Sequence, residues 1–147
     1  MILDSKLEFS NKQVVSANAL SDNVLNMFAG TTPNAKVDLG AGEPVWLVVQ
    51  LATAAASGTG TLTVTLETAD NAQMTGAKVV VSSGEVDVSA LQPYQRLCAL
   101  RLPLDAYRKY LAVRYTVDGS LTNGVVNAFM VKDAHVSHAL AAGSAMV

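Results

Sequence analysis

A chain of 147 residues that is half hydrophobic and only 15% charged is not a polar, highly charged disordered segment, and its length fits one domain with a sizeable core. Ten basic against twelve acidic residues leave a net charge of -2, a poor balance for a nucleic-acid partner, because binding a polyanion is driven by cation excess and counterion release. The longest run of large apolar residues, Val45-Trp46-Leu47-Val48-Val49, falls far short of the roughly 18 that suggest a spanning helix, and Asp4 and Glu8 stand where a secretory signal would be basic, then apolar; neither a membrane partner nor export by that route is expected.

Along the chain, residues 1–12 lack enough apolar alternation to build a strand and read as an N-terminal arm. Residues 14–17, 23–27 and 35–39 read as short strands, separated by polar residues and by the turn Thr32-Pro33-Asn34. Gly40-Ala41-Gly42 could suggest a phosphate-binding loop, but that use needs a helix N-terminus after it, and Pro44 and a strand follow instead. That strand, residues 45–51, is apolar on both faces. Residues 52–56 are alanine-rich but read as a loop, with glycines straight after. Residues 60–67 then alternate, with Leu62, Val64 and Leu66 on one face and threonines on the other, the pattern of a half-buried strand.

Residues 78–82, 86–88 and 96–102 read as further strands, with a turn at Ser83-Gly84. Glu85 and Asp87 share a strand face, and paired carboxylates can do acid and base work. With no histidine nearby in sequence, a solvated edge that resists aggregation is the plainer reading. Residues 110–117 alternate again, placing Leu111, Val113, Tyr115 and Val117 inward and Tyr110, Ala112, Arg114 and Thr116 outward. Residues 125–131 are apolar on both faces, like 45–51. A second apolar face asks for a cover, either a loop of the same chain or a neighbouring subunit. Trp46, Val48, Val126 and Met130 are the interface candidates from these two strands, although Trp46, in the most apolar strand, also reads as core.

Turn signals at Ser57-Gly58-Thr59-Gly60, Asp118-Gly119 and Asn123-Gly124 complete a spacing of roughly 8 to 12 residues, which is that of all-β sandwiches and barrels. The sandwich is expected over 13–132 as a single domain. Residues 133–147 read as a C-terminal tail that needs a partner to be ordered.

Chemistry-bearing groups are few. Cys98 is the single cysteine, which excludes an intramolecular disulfide; flanked by Leu97, Ala99 and Leu100, it reads as a small buried hydrophobe rather than a reactive thiol. His135 and His138, with Asp133, could hold a metal, but on a non-helical segment a spacing of three does not bring two imidazoles together. No nucleophile elbow or convergent acid–base set is visible, so no enzyme activity, cofactor or small-molecule substrate is expected. The segment from Tyr94 to Tyr115 gathers half of the ten basic residues and all four tyrosines. Tyrosine with arginine suits protein contact, ordinary strand-surface pairing or nucleic-acid stacking, the last disfavoured by the overall charge. Its interface candidates are Tyr94, Arg96, Arg108, Tyr110 and Arg114.

Several stretches together resemble a tailed-phage group. They are Met1-Ile2-Leu3-Asp4 through Leu7-Glu8-Phe9-Ser10, the strand entry Gly42-Glu43-Pro44-Val45-Trp46-Leu47-Val48-Val49, the strand from Leu62 to Thr68 with Ala69-Asp70-Asn71 after it, and Lys109-Tyr110-Leu111 with Arg114-Tyr115-Thr116-Val117. The chain is similar to the Bbp16-like capsid cement, or decoration, proteins. That resemblance implies an antiparallel β-sandwich of jelly-roll type with extended arms. It also implies a homotrimer on the outside of the virion head that clamps neighbouring major capsid protein subunits and brings no catalytic residues. The alternative from another class is a carbohydrate- or receptor-binding β-sandwich module of a virion, since jelly rolls host lectins as well.

Overall fold

The computed structural model describes residues 5–28, 39, 42–52, 57–104 and 107–132. Residues 1–4 of the expected arm, 35–38 of an expected strand, 53–56 of an expected loop and the whole tail 133–147, with both histidines, lie outside these.

β-branched and aliphatic residues in alternation fold into nine strands among the described residues: β1 (Glu8–Val15), β2 (Ala19–Leu20), β3 (Leu25–Asn26), β4 (Trp46–Leu51), β5 (Ser57–Ala69), β6 (Lys78–Asp87), β7 (Arg96–Arg101), β8 (Tyr110–Thr122) and β9 (Gly124–Val131). They form two antiparallel sheets, one ordered β1-β9-β4-β7 and the other β2-β8-β5-β6 with β3 also on β8. The pairs are nested: β1 with β9, β2 and β3 with β8, β4 with β7, β5 with β6. One long hairpin rolled into two facing sheets gives this order, and it is the jelly-roll arrangement. Pairing of β9 with β4 and of β8 with β5 closes each sheet.

The core lies between the sheets. Leu62, Val64 and Leu66 of β5 face Val117, Tyr115 and Val113 across the β8 ladder, on the faces that the alternation predicts. The other sheet supplies Leu47, Val49 and Leu51 of β4 and Val126, Ala128 and Met130 of β9, all buried in the same cluster. Each large aliphatic side chain so buried stabilises the fold by about 1.5–3 kcal/mol relative to exposure.

Four expectations change. The chain from Glu8 onward is strand, not arm: Phe9 and Ser10 are fully buried, because Phe9 fills the core and the Ser10 hydroxyl reaches Tyr115 at 2.8 Å. Leu39, at the end of an expected strand, is buried without belonging to one. Ser83-Gly84 is not a turn between two strands but an irregularity inside β6, where Gly84 takes φ +73° and the Val64 N–H donates to Ser83 Oγ at 3.0 Å. A side-chain oxygen there replaces a ladder carbonyl, so the strand bends and continues. The glycines of residues 57–60 and 118–119 likewise lie within β5 and β8, as a paired ribbon. Gly60 stands opposite Gly119, and a Cβ on Gly60 would meet the Asp118 carbonyl oxygen at 1.8 Å. Close backbone approach, not a chain reversal, is what these glycines permit. The reversal comes at Asn123, φ +57°, which an Asn tolerates well.

Candidate interaction surfaces

Two sheet faces point away from the core, and the register assigns the candidate residues to them. On β4 and β9, Trp46 lies opposite Val131, Val48 opposite Phe129 and Gln50 opposite Asn127, and cross-strand partners share a face. This outer face carries its own cluster, in which Val48 and Phe129 are buried and Trp46, Ala99 and Val131 pack around them. Both strands are therefore two-sided, as their composition predicts, and the buried pair is already covered within a single chain. Trp46 is half-buried on this face and is not part of the main core.

Two interface candidates move. Val126 and Met130 stand opposite Leu51 and Leu47 and are buried in the main core, so neither is available to a partner. The outward residues of β9 are Val125, Asn127, Phe129 and Val131. Asn127 is the signal that sequence reading missed: the odd-numbered face of β9 holds its only polar residue, just as Gln50 marks the even-numbered face of β4.

The tyrosine and arginine segment divides over several places. Arg96 lies opposite Gln50 on the outer face of β7. Tyr110 and Arg114 lie on the outer face of β8, opposite Ala69 and Thr65. Arg114 is held there: its Nε donates to both oxygens of Glu67 at 2.9 Å, and Thr65 Oγ1 donates to the same carboxylate at 3.3 Å. Glu67 is only 7% exposed, so this charge-assisted pairing compensates a carboxylate removed from water. Arg108 stands at the end of the sandwich, 3.4 Å from Asp70 Oδ2. Its Nη1 donates to the Gly76 carbonyl at 3.2 Å, and Lys109 Nζ sits 5.4 Å from the Tyr110 ring centroid. These three pairings fit the strand-surface reading. Tyr115 faces inward, where burial pushes its phenol well above the usual range, and Tyr107 donates to the Pro103 carbonyl at 2.6 Å. Tyr94 differs from all of them, for it projects from a turn with 71% of its surface exposed.

Cys98 and Asp87 have structural surroundings. Cys98 packs against the main core, and burial pushes its thiol up to about 11, against the pull of the Val49 backbone hydrogen bond and the Arg96 charge. The thiol, not the thiolate, is present at neutral pH, which suits the small-hydrophobe reading. Asp87 Oδ1 accepts from the Ser89 hydroxyl and N–H, both at 2.8 Å, capping a 3-10 turn over Val88–Ala90. These bonds hold its carboxyl below the usual carboxylate value, so it acts as a cap rather than as the partner of Glu85. Among the described residues no three His, Cys, Asp or Glu side chains come together as a metal site, and no helix is long and apolar enough to cross a membrane.

Comparison with known proteins agrees with the resemblance. No curated protein matches the chain. The sequence profile of the Bbp16 family matches residues 9–130, the span from the start of the first strand through nearly all of the last. A match over that much of the chain makes this protein a member of the Bbp16 family.

Proposed function

We propose that this chain is a cement protein of a tailed-phage head. It binds the outer surface of the assembled capsid as a homotrimer and stabilises contacts between neighbouring major capsid protein subunits, acting by binding alone. Membership of the Bbp16 family over residues 9–130 carries this reading. The partly exposed apolar rim of the outer face of β4 and β9, Trp46, Ala99 and Val131, supports it, since closed symmetric assembly is how soluble chains usually bury such surface. A protein that binds the assembled lattice and not its separated subunits raises lattice stability by mass action. Linked copies, each making a weak contact, hold through effective concentration.

The test is co-sedimentation of the purified chain with expanded, DNA-free heads of the phage that encodes it, with the melting temperature of bare and decorated heads compared. Attachment with a raised melting temperature is expected. Retention on a glycan array without attachment to heads would turn the reading to the carbohydrate-binding alternative.

A further inference from the structure

Among the described residues, four other than glycine take positive φ: Lys12, Met74, Tyr94 and Asn123. Asn123 is a residue type that tolerates this region at a hairpin. Met74 is 3% exposed in a small apolar cluster with Ala69 and Ala112, so burial offsets its strain. The N–H of Lys12 is held by Asn127 Oδ1 at 2.7 Å, within an irregularity of β1.

Tyr94 has no such compensation. It occupies the third position of the turn Gln92-Pro93-Tyr94-Gln95, closed by the Gln95 N–H donating to the Gln92 carbonyl at 3.2 Å, with φ +59°. Pro in second place followed by a positive φ is a type II turn, whose third position glycine fills without strain. A bulky aromatic residue in that conformation is an outlier. The residue is 71% exposed, and its hydroxyl has no hydrogen-bond partner among the described residues.

The turn beneath it is well held. Gln95 Oε1 accepts from the Gln92 N–H at 2.7 Å, and the Gln95 carbonyl accepts from the Leu51 N–H of β4 at 2.9 Å. The backbone from which the ring projects is thereby tied to a central strand. Residues held in costly conformations without a local reason cluster at contact and active sites, and an exposed tyrosine on a rigid support is the usual anchor of a protein interface, offering large area at small entropic cost.

We propose that Tyr94 is the anchor by which this chain docks on its protein partner, its ring entering an apolar pocket there and its hydroxyl meeting an acceptor at the pocket rim. This rests on the capsid reading, and places the Gln92-to-Gln95 turn against the shell.

Three variants test it: Tyr94→Gly, Tyr94→Ala and Tyr94→Phe, each assayed for thermal unfolding of the free chain and for affinity to expanded heads. Tyr94→Gly is expected to melt no lower than the parent, because glycine relieves the turn, while its affinity for heads falls by about tenfold or more. Tyr94→Ala should lose affinity to the same degree, and Tyr94→Phe should keep most of it. Binding by Tyr94→Gly equal to the parent overturns the proposal while leaving the capsid reading intact. A parent chain that binds no heads at all fails the capsid reading instead. Binding of the parent to glycans, abolished in Tyr94→Ala, would make the ring a sugar platform and overturn the protein-anchor assignment.

Discussion

The hydroxyls of Ser10 and Tyr115 meet at 2.8 Å inside the sandwich, joining the edge strand β1 of one sheet to the interior strand β8 of the other. Ser10 Oγ donates to Gln13 Oε1 at 2.6 Å, which leaves the Tyr115 proton to be given to Ser10. Gln13 continues the chain, accepting from the Asp22 N–H at 3.0 Å and donating to the Leu20 carbonyl at 2.7 Å. A buried polar chain of this kind fixes how the sheets are stacked, because a shifted packing would strand its hydroxyls.

Removing either partner therefore has unequal effects. Tyr115→Phe deletes the donor and leaves Ser10 bonded to Gln13, a loss of about 1 kcal/mol. Ser10→Ala leaves a phenol hydroxyl buried with nothing to bond, at about 1–3 kcal/mol. Urea unfolding of both variants and the double variant should give a double loss smaller than the sum. Strict additivity would mean the hydroxyls are not coupled.

The two faces of β9 should respond differently to charge. Val126→Asp puts a carboxylate into the main core opposite Leu51, and an unpaired buried charge should prevent folding at any protein concentration. Val131→Lys, at the rim of the outer cluster, should leave far-ultraviolet circular dichroism unchanged and weaken any association through that face. Trp46→Ala should cost less than the about 3–5 kcal/mol typical of a fully buried aromatic residue, because Trp46 is only half-buried. A folded Val126→Asp variant, read by dichroism, would contradict the assigned register.

The sequence announces both long alternating strands and both two-sided ones, since the period of two appears directly in residues 60–67 and 110–117. What it hides are features decided by partners distant in the chain. Residues 8–12 look too polar for a strand, yet Ser10 is there to meet Tyr115, 105 positions away. Glycine pairs read as turns because a lone glycine near a threonine says nothing of another glycine across a ladder. The faces of β9 are ambiguous from hydrophobicity alone, and Asn127 is a single polar residue in eight. Clustering of arginine and tyrosine along the chain proves a poor guide to clustering in space, because neighbouring strand residues face opposite ways and Arg96 and Arg114 belong to different sheets.

The paired glycines give a sharper mutational contrast than their number suggests. Gly60→Ala would drive a methyl to 1.8 Å from the Asp118 carbonyl oxygen, and Gly119→Ala to 2.3 Å from that of Thr59, both at positive φ. Backbone atoms cannot step aside as a side-chain tip can, so each should cost about 2 kcal/mol or more. Gly84→Ala also lies at positive φ, but nothing stands within 4 Å of the added carbon. Only the conformational strain remains there, about 1 kcal/mol. Equal thermal shifts for Gly60→Ala and Gly84→Ala would remove close approach as the reason for the glycine ribbon.

Cys98 sets a pH dependence whose direction follows from its surroundings. Burial against the core lifts its thiol from 9.0 to about 11, so the folded chain holds this proton at a pH where the unfolded chain has released it. The contribution to stability is fully present below about 9 and is lost as pH rises through about 11. Tyr115, also raised by burial, acts in the same sense at higher pH. Urea midpoints measured from pH 7 to 11 should therefore fall on the alkaline side for the parent, and fall less steeply in Cys98→Ala, where Tyr115 remains but the thiol is gone. The native chain should also react slowly with a thiol reagent at pH 7, far more slowly than the urea-unfolded chain, since the reagent needs a thiolate that burial disfavours. Parallel midpoint curves for parent and variant, together with rapid native labelling, would show that the side chain is solvated and that its packing against the core is not what sets its proton affinity.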